Sequence, residues 1–366
     1  MTPDFDAAKA LFLDGLAALQ AGQLVQAETS FLASLQRLPG RVSTFVNLAA
    51  TRLALGRPQD SLASADAALA IEAGSADAWL HRANALAELG RHAEALIAFQ
   101  AVCRLDPRQA HAWSQAGSLL REAGRLTEAA QAYEQALAHG ADPEVHRYFL
   151  AAVRNVGPVP RGAPARYVQG LFDAYAGEFD AHLVDVLGYS AHRVLVEQLP
   201  EPDRRWANVL DLGCGTGLCG ALLAGRADRL VGVDLSAGML RQAQALGVYA
   251  QLLQADLVEH LDATTERHDL VLAADVFIYV GALERVFEGV RRVLTPGGRF
   301  CYSVESAVPL GPDIVLTPGL RYAHAAPYLA ALAQRHGYTV EREVVAPIRE
   351  EQRVPIAGRY VVLRRD

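Results

Sequence analysis

Four glycines recur at one interval. Gly22, Gly56, Gly90 and Gly124 stand 34 residues apart, and Ala27, Ser61, Ala95 and Ala129 follow them at a constant offset. Phe31, Ala65, Phe99 and Tyr133 follow at a second offset, and Trp79 and Trp113 share the same period, with Phe45 in the matching place before them. Pro39 and Pro107 close the first and third periods. Each period holds two apolar-periodic helical stretches separated at the shared glycine. A unit this short cannot bury its apolar face alone, so neighbours must stack, which predicts an αα-solenoid. Small residues let paired helices approach; large ones fill the space between units.

This pattern resembles the tetratricopeptide repeat family. The best match runs from Ala78-Trp79 to Asp106-Pro107, with Ala-Leu-Ala-Glu-Leu-Gly-Arg at 85–91. About four repeats cover residues 7 to 141, and Pro143 to Arg154 reads as a capping helix. The resemblance implies a concave groove lined by Phe12, Leu16, Val46, Ala50, Leu80, Asn84, Ser114 and Ser118. The family's clamp for acidic peptide C-termini needs Lys and Asn there, and only Asn84 remains. The first two repeats are apolar at these places, so the groove needs a cover: a hydrophobic peptide, a second subunit or the chain's own N-terminal segment. A rigid spacer is the alternative role.

Three prolines and two glycines interrupt the periodicity after Asn155. The domain division is therefore 1–154 solenoid, 155–165 linker and 166–366 second domain. That domain enters through a helix from Arg166 towards Leu183 with a break near Gly177. Phe172, Tyr175 and Phe179 are spaced as a core stripe, and the same helix could act as a lid that brings Tyr175 and His182 to a site.

From Asn208 onward, apolar β-rich runs alternate with helical ones. Strands are expected at 208–212, 229–234, 248–253, 269–274, 299–304, 338–347 and 359–364, with helices near 216–225, 236–246, 281–293 and 324–336. Such alternation implies βαβ units and a mostly parallel seven-stranded sheet, whose ligands bind at the carboxyl ends of the strands. The first strand runs into Val209-Leu210-Asp211-Leu212-Gly213-Cys214-Gly215-Thr216-Gly217. Glycines there let the backbone approach a ligand. Gly215, Gly217 and Gly220 also satisfy the dinucleotide spacing Gly-x-Gly-x-x-Gly. Asp234, Asp256 and Asp275 then end the second, third and fourth strands. Each acid can serve as a helix N-cap or as a ligand acceptor.

Taken together, Val209–Gly217, Asp234, Asp256, Asp269–Tyr279 and Leu294-Thr295-Pro296-Gly297-Gly298-Arg299-Phe300 resemble the class I S-adenosylmethionine-dependent methyltransferases over residues 166–366. Within that class the chain looks most like bacterial methyltransferases that carry tetratricopeptide repeats. The resemblance implies S-adenosyl-L-methionine as cofactor. Asp211, Gly213, Cys214 and Gly215 would lie against its methionine part, and Asp234 would hold the ribose. Leu235 and Met239 would flank the adenine, with core packing the equal alternative for Met239. Ala255, Asp256 and Leu257 would meet the adenine edge, Asp275 and Val276 the methyl group, and Tyr175 would reach in from the entry helix. No Asn/Asp-Pro-Pro-Tyr/Phe motif follows the fourth strand, which argues against methylation of DNA amino groups or glutamine amides.

In-line transfer from a sulfonium needs alignment and exclusion of water; a base is needed only if the acceptor must lose a proton. His324 and Tyr279 are the catalytic candidates, with His324 expected at a helix start. Glu305, Tyr322 and His182 lie in segments that could line the mouth, and Ser306–Pro318 reads as a loop over the site. No metal site is expected, because Cys103, Cys214, Cys219 and Cys301 make no ligand spacing.

The net charge of −7 supplies no footprint for nucleic acid. No apolar run is long enough to span a membrane, and no signal region opens the chain, so a cytoplasmic enzyme is expected. The leading reading is methyl transfer to a small-molecule or carrier-presented acceptor, with the repeats recruiting a protein partner or fixing an oligomer. The alternatives are a peptide methyltransferase whose groove grips the substrate, and a cofactor-sensing scaffold without turnover.

Overall fold

The structure is a computed structural model. It describes residues 3–154, 157–177, 188–308, 311–351 and 354–366. The chain divides into two compact units, Met1–Arg154 and Asn155–Asp366.

The first unit is all helix: α1 Pro3–Gln20, α2 Leu24–Arg37, α3 Val42–Ala54, α4 Pro58–Ile71, α5 Ala76–Glu88, α6 His92–Leu105, α7 Ala110–Glu122, α8 Leu126–Ala138 and α9 Pro143–Arg154. The periodic glycines are the turns within each pair. Gly22, Gly56, Gly90 and Gly124 have φ of 72, 70, 68 and 73°, a left-handed conformation that only glycine adopts without penalty. Close approach within a pair depends on small residues. A Cβ on Gly117 of α7 would lie 2.7 Å from the Tyr133 ring of α8, and one on Gly15 would lie 2.6 Å from Phe31. The paired tryptophans repeat one contact: the Trp79 and Trp113 indoles donate to the Ala73 and Pro107 carbonyls, both at 2.9 Å. Helix α9 ends the stack by burying Tyr148, Phe149 and Leu150.

In the second unit come α10 Ala165–Tyr175, α11 Ala191–Glu197, β1 Val209–Leu212, α12 Leu218–Leu223, β2 Leu230–Asp234, α13 Ala237–Ala245, β3 Gln251–Gln254, α14 Leu257–Ala263 and β4 His268–Ala273. A 3-10 turn, Phe277–Tyr279, leads to α15 Glu284–Val293 and β5 Leu294–Ser306. Then follow β6 Ile314–Leu316, β7 Tyr322–His324, α16 Ala326–Arg335, β8 Tyr338–Glu351 and β9 Val354–Arg365.

Strand β1 lies between β2 and β4, all parallel, with β3 beyond β2 and β5 beyond β4. β9 pairs antiparallel with β5, and β8 with β9. The seven expected strands thus run β3-β2-β1-β4-β5-β9-β8. Both faces are covered: Leu210, Val271 and Phe300 pack with Val286, Phe287 and Leu332 on one side, and Val209, Leu270 and Cys301 with Leu195, Trp206 and Leu223 on the other. That explains why these strands read as near-continuous apolar runs.

Two strands depart from the sequence reading. Part of Ser306–Pro318, expected as a loop over the site, is β6, and β7 pairs with it antiparallel. β5 outruns β4 at its carboxyl end, and β7 pairs its last residues, Glu305 with Ala323 and Ser306 with His324. Backbone groups there need partners, and the turn at Thr317–Arg321, with Leu320 at φ 61°, returns the chain to supply them. His324 therefore belongs to a strand, and the helix starts two residues later. Among the described residues no helix is long and apolar enough to cross a membrane.

Candidate functional site

The order of strands reverses at β1, with β2 on one side and β4 on the other, so a crevice opens above their carboxyl ends. A cavity of about 320 Å³ occupies it, lined by the segments after β1, β2, β3 and β4 and by α10. This volume falls within the roughly 300–1,000 Å³ typical of small-molecule sites.

The loop after β1 shapes one wall. Gly213, Gly215 and Gly217 have φ of 63, 55 and 93°. Their surroundings differ. A Cβ on Gly213 would lie 2.5 Å from Val276 Cγ2, so the loop presses on the residues that follow β4. A Cβ on Gly215 would meet nothing within 4 Å. Gly217 and Gly220 make room for a tyrosine: added Cβ atoms would lie 3.0 and 2.5 Å from the Tyr249 side chain. Gly220, which completed a dinucleotide spacing in the sequence, thus serves packing. The Tyr249 hydroxyl donates to Asp211 Oδ2 at 2.7 Å.

Asp234 ties β2 to this loop. Its Oδ2 accepts from the Gly215 N–H at 2.9 Å and its Oδ1 from the Ser236 N–H at 2.8 Å. Ser236 caps α13 by accepting from the Met239 N–H at 3.1 Å, and its hydroxyl donates to Asp173 of α10 at 2.6 Å. Asp173 also accepts from the Gly238 N–H at 3.1 Å, so α10 is fastened beside Asp234. Asp256 realises the N-cap: Oδ1 accepts from Val258 and Glu259 N–H at 2.8 and 3.1 Å, and Oδ2 takes neither bond.

Burial raises two of these acids, Asp211 and Asp234, and so favours a cation beside them. Burial pushes the Asp211 carboxyl up to about 7; the Tyr249 hydroxyl acts against that, and Asp234 adds to it. Burial also raises Asp234, while backbone N–H groups lower it. Burial pushes the Cys214 thiol well up, so it packs as an uncharged small residue.

The other end of the cavity carries arginines. Arg349 of β8 is 3% exposed and pairs with Asp275 at 3.2 Å and with Glu305 of β5. Arg321 Nε lies 3.3 Å from the same Glu305. Asp275 itself stands at φ 57°, its N–H donating to Ser303 Oγ at 2.8 Å. Strained residues of this kind cluster at functional sites. Val168, Leu171, Phe172, Tyr189, His192 and Tyr279 also line the cavity. The Phe172 and Tyr279 rings meet edge-on at 5.5 Å.

Asp211, Gly213, Cys214, Gly215, Asp234, Leu235, Met239, Ala255, Asp256, Leu257, Asp275 and Val276 all line the one cavity, as does Tyr279. The Tyr175 side chain and His182 lie outside the described residues. Burial raises the Tyr279 phenol, Arg321 partly opposing, so it stays protonated and can donate a hydrogen bond but not take a proton. His324 is not at the mouth. It is fully buried in β7, its Nε2 lies 2.9 Å from the Gly281 carbonyl oxygen, and burial lowers it to about 4. Tyr322 donates to the Pro160 carbonyl at 2.9 Å and belongs to the packing there. Sequence reasoning missed Tyr249, Asp173, Arg321 and Arg349. Each lies far along the chain from what it serves, and no local spacing marks it.

Residues 209–298 match the family model of a methyltransferase domain. Residues 46–110 and 98–146 match that of the tetratricopeptide repeat. The chain joins tetratricopeptide repeats to a methyltransferase domain. Among curated relatives, a malonyl-[acyl-carrier protein] O-methyltransferase of Geobacter sulfurreducens is 33% identical over 143 residues, 38% of this chain and 53% of that protein. Methyltransferase-like protein 27 of Homo sapiens is 33% identical over 177 residues, 46% of this chain and 66% of that protein. The chain spans about half the length of the first of these relatives. Among solved structures, the N-methyltransferase NodS from Bradyrhizobium japonicum, in complex with S-adenosyl-L-homocysteine, aligns at 17% identity and a TM-score of 0.44, over 54% of this chain and 97% of that one. The methyltransferase domain model thus covers β1 to the start of β5, the stretch that supplies most of the cavity lining.

Proposed function

We propose that this chain transfers the methyl group of S-adenosylmethionine to a small-molecule or carrier-presented acceptor. The observation that carries the reading is the single cavity on which the open Gly215 backbone meets Asp211, Asp234 and Asp256. The residues fit the group. S-adenosylmethionine carries an ammonium and a sulfonium, and a buried carboxylate with one hydroxyl partner is suited to a cation. A dinucleotide's anionic pyrophosphate would meet two acids there. When bound, the cofactor supplies an activated methyl on a good leaving group.

The chain's own residues do the rest. Asp211 receives the ammonium group, directly or through water. Asp234, already oriented by two backbone N–H groups, offers its remaining lone pairs to the ribose diol. Asp256, whose Oδ2 takes neither cap bond, would hold the adenine amine together with Ala255 and Leu257, and Leu235 and Met239 would flank the ring. Asp275 and Val276 would lie beside the methyl group, and the protonated Tyr279 could donate a hydrogen bond that orients the acceptor. Val168 and Phe172 of α10 shield this part of the cavity from water. Acceptors of a carrier-bound kind are weighed by the first of the relatives above, whose name states an acyl-carrier protein substrate. The repeat domain, with half-buried Phe12, Leu16, Val46, Ala50 and Leu80, recruits a partner or holds an oligomer.

Isothermal titration of the full chain with S-adenosylmethionine tests the cofactor reading. One saturable site is expected; no heat from a protein shown to be folded overturns it. Release of S-adenosylhomocysteine in the presence of free and carrier-bound acceptors then tests turnover.

A further inference from the structure

Tyr249 precedes β3 and does not line the cavity, yet the domain is shaped around it. Added Cβ atoms on Gly217, Gly220 and Gly232, from the loop, α12 and β2, would lie 3.0, 2.5 and 2.9 Å from its side chain. Three separate elements leave out a side chain along the path by which one hydroxyl reaches Asp211. That carboxylate is 1% exposed, and the Tyr249 hydroxyl stands 2.7 Å from its Oδ2.

We propose that Tyr249 is a positioning residue for cofactor binding: its hydroxyl orients the Asp211 carboxylate that receives the cofactor's ammonium group. The inference rests on the cofactor reading above. A buried carboxylate held by one fixed donor keeps one rotamer and presents its other oxygen, Oδ1, in a constant direction. The same bond favours the charged form, since a hydrogen bond to a carboxylate stabilises it over the acid. The other groups that face Asp211 do not help. Asp234 from the end of β2 repels its charge, and Cys214 in the loop and Cys219 on α12 are neutral thiols. Asp275 after β4 and His192 on α11 lie on the same cavity. Among the described residues Tyr249 is thus the one neutral side-chain donor to this acid, and its own ionisation is suppressed by burial and by Asp211.

Tyr249→Phe keeps the ring that fills the glycine channel and removes only the hydroxyl. By titration calorimetry at neutral pH, S-adenosylmethionine should bind roughly ten- to hundredfold more weakly, the range for a lost hydrogen bond to a charged group. The weakening should shrink as the pH is raised, because the Asp211 carboxyl now ionises later. A merely structural role would not move that profile. In an Asp211→Asn background, Tyr249→Phe should add little; full additivity of the two losses overturns the proposal. So does wild-type affinity with an unshifted pH profile. Two measurements on the free protein need no cofactor. The ¹³C resonance of the Asp211 carboxyl should titrate at higher pH in Tyr249→Phe than in wild type. In wild type alone, the Tyr249 Cζ resonance should move with the Asp211 titration, and a flat Tyr249 signal overturns the proposal even where the Phe variant fails to fold. If wild type binds no S-adenosylmethionine while these resonances behave as described, the cofactor reading fails and the coupling of the pair stands.

Discussion

Asp234 Oδ2 accepts a hydrogen bond from the backbone N–H of Gly215 at 2.9 Å. The acid that ends β2 therefore sets the shape of the loop that follows β1. Replacing it removes a loop anchor and, on the proposed reading, the ribose contact as well. Asp234→Ala should weaken S-adenosylmethionine binding by about 3 kcal/mol or more, beyond the roughly 1.5–3 kcal/mol of a single hydrogen bond to a charged group. It should also lower the melting temperature of the ligand-free protein. Affinity within error of wild type in calorimetry would remove the assignment.

Two glycines only two residues apart should respond differently to one methyl group. Gly215→Ala meets nothing within 4 Å and adds only the left-handed backbone penalty, about 1 kcal/mol. It should stay folded and bind the cofactor poorly, because the new methyl stands where the backbone must be approached. Gly213→Ala collides with Val276 Cγ2 at 2.5 Å, and overpacking adds about 1–3 kcal/mol. Denaturant melts should rank Gly213→Ala below Gly215→Ala; the opposite order contradicts this account of the loop.

Asp211 carries a stability cost with a defined pH window. Its folded carboxyl titrates at about 7, well above the unfolded value, because burial penalises the charge. The folded state then binds more protons than the unfolded state between about pH 4 and 7, so stability falls as pH rises across that range. Asp211→Asn keeps an acceptor for Tyr249 and removes the charge. It should stabilise the ligand-free protein by roughly 2–4 kcal/mol above pH 7, the gain fading toward pH 4. It should at the same time weaken cofactor binding. Melting curves at pH 5 and 8 check it; equal gains at both contradict it.

Arg349 stands between two carboxylates, Asp275 and Glu305, with its side chain 3% exposed. Arg349→Met leaves both acids without that cation, and breaking a buried pair from one side costs about 3–5 kcal/mol. Adding Glu305→Gln should recover part of the loss. A single variant as stable as wild type in urea would show that the network does not hold β8 over the site.

Much of this protein is legible along the chain because the physics there is local. The 34-residue spacing reports helix pairs whose turn glycines need positive φ, and that requirement is visible wherever the same turn recurs. The central strands β1, β2, β4 and β5 are legible because a sheet covered on both faces demands apolar runs. The acids at the carboxyl ends of β1 to β4 are legible because those ends face one crevice. What escaped was set by distance. β6 and β7 are three residues each and answer the unpaired end of β5, so His324 looked like a helix start and became a buried strand residue.

The sequence by itself determined which backbone can bend at Gly213, Gly215 and Gly217 and which side chains end the parallel strands, because both follow from neighbours in the chain. Only the tertiary structure decided what those groups meet. Tyr249 reaches Asp211 across 38 residues, Asp173 reaches Ser236 across 63, and Arg349 reaches Asp275 across 74. Burial and these distant partners set the charge of each acid, and no spacing within one strand or helix encodes them.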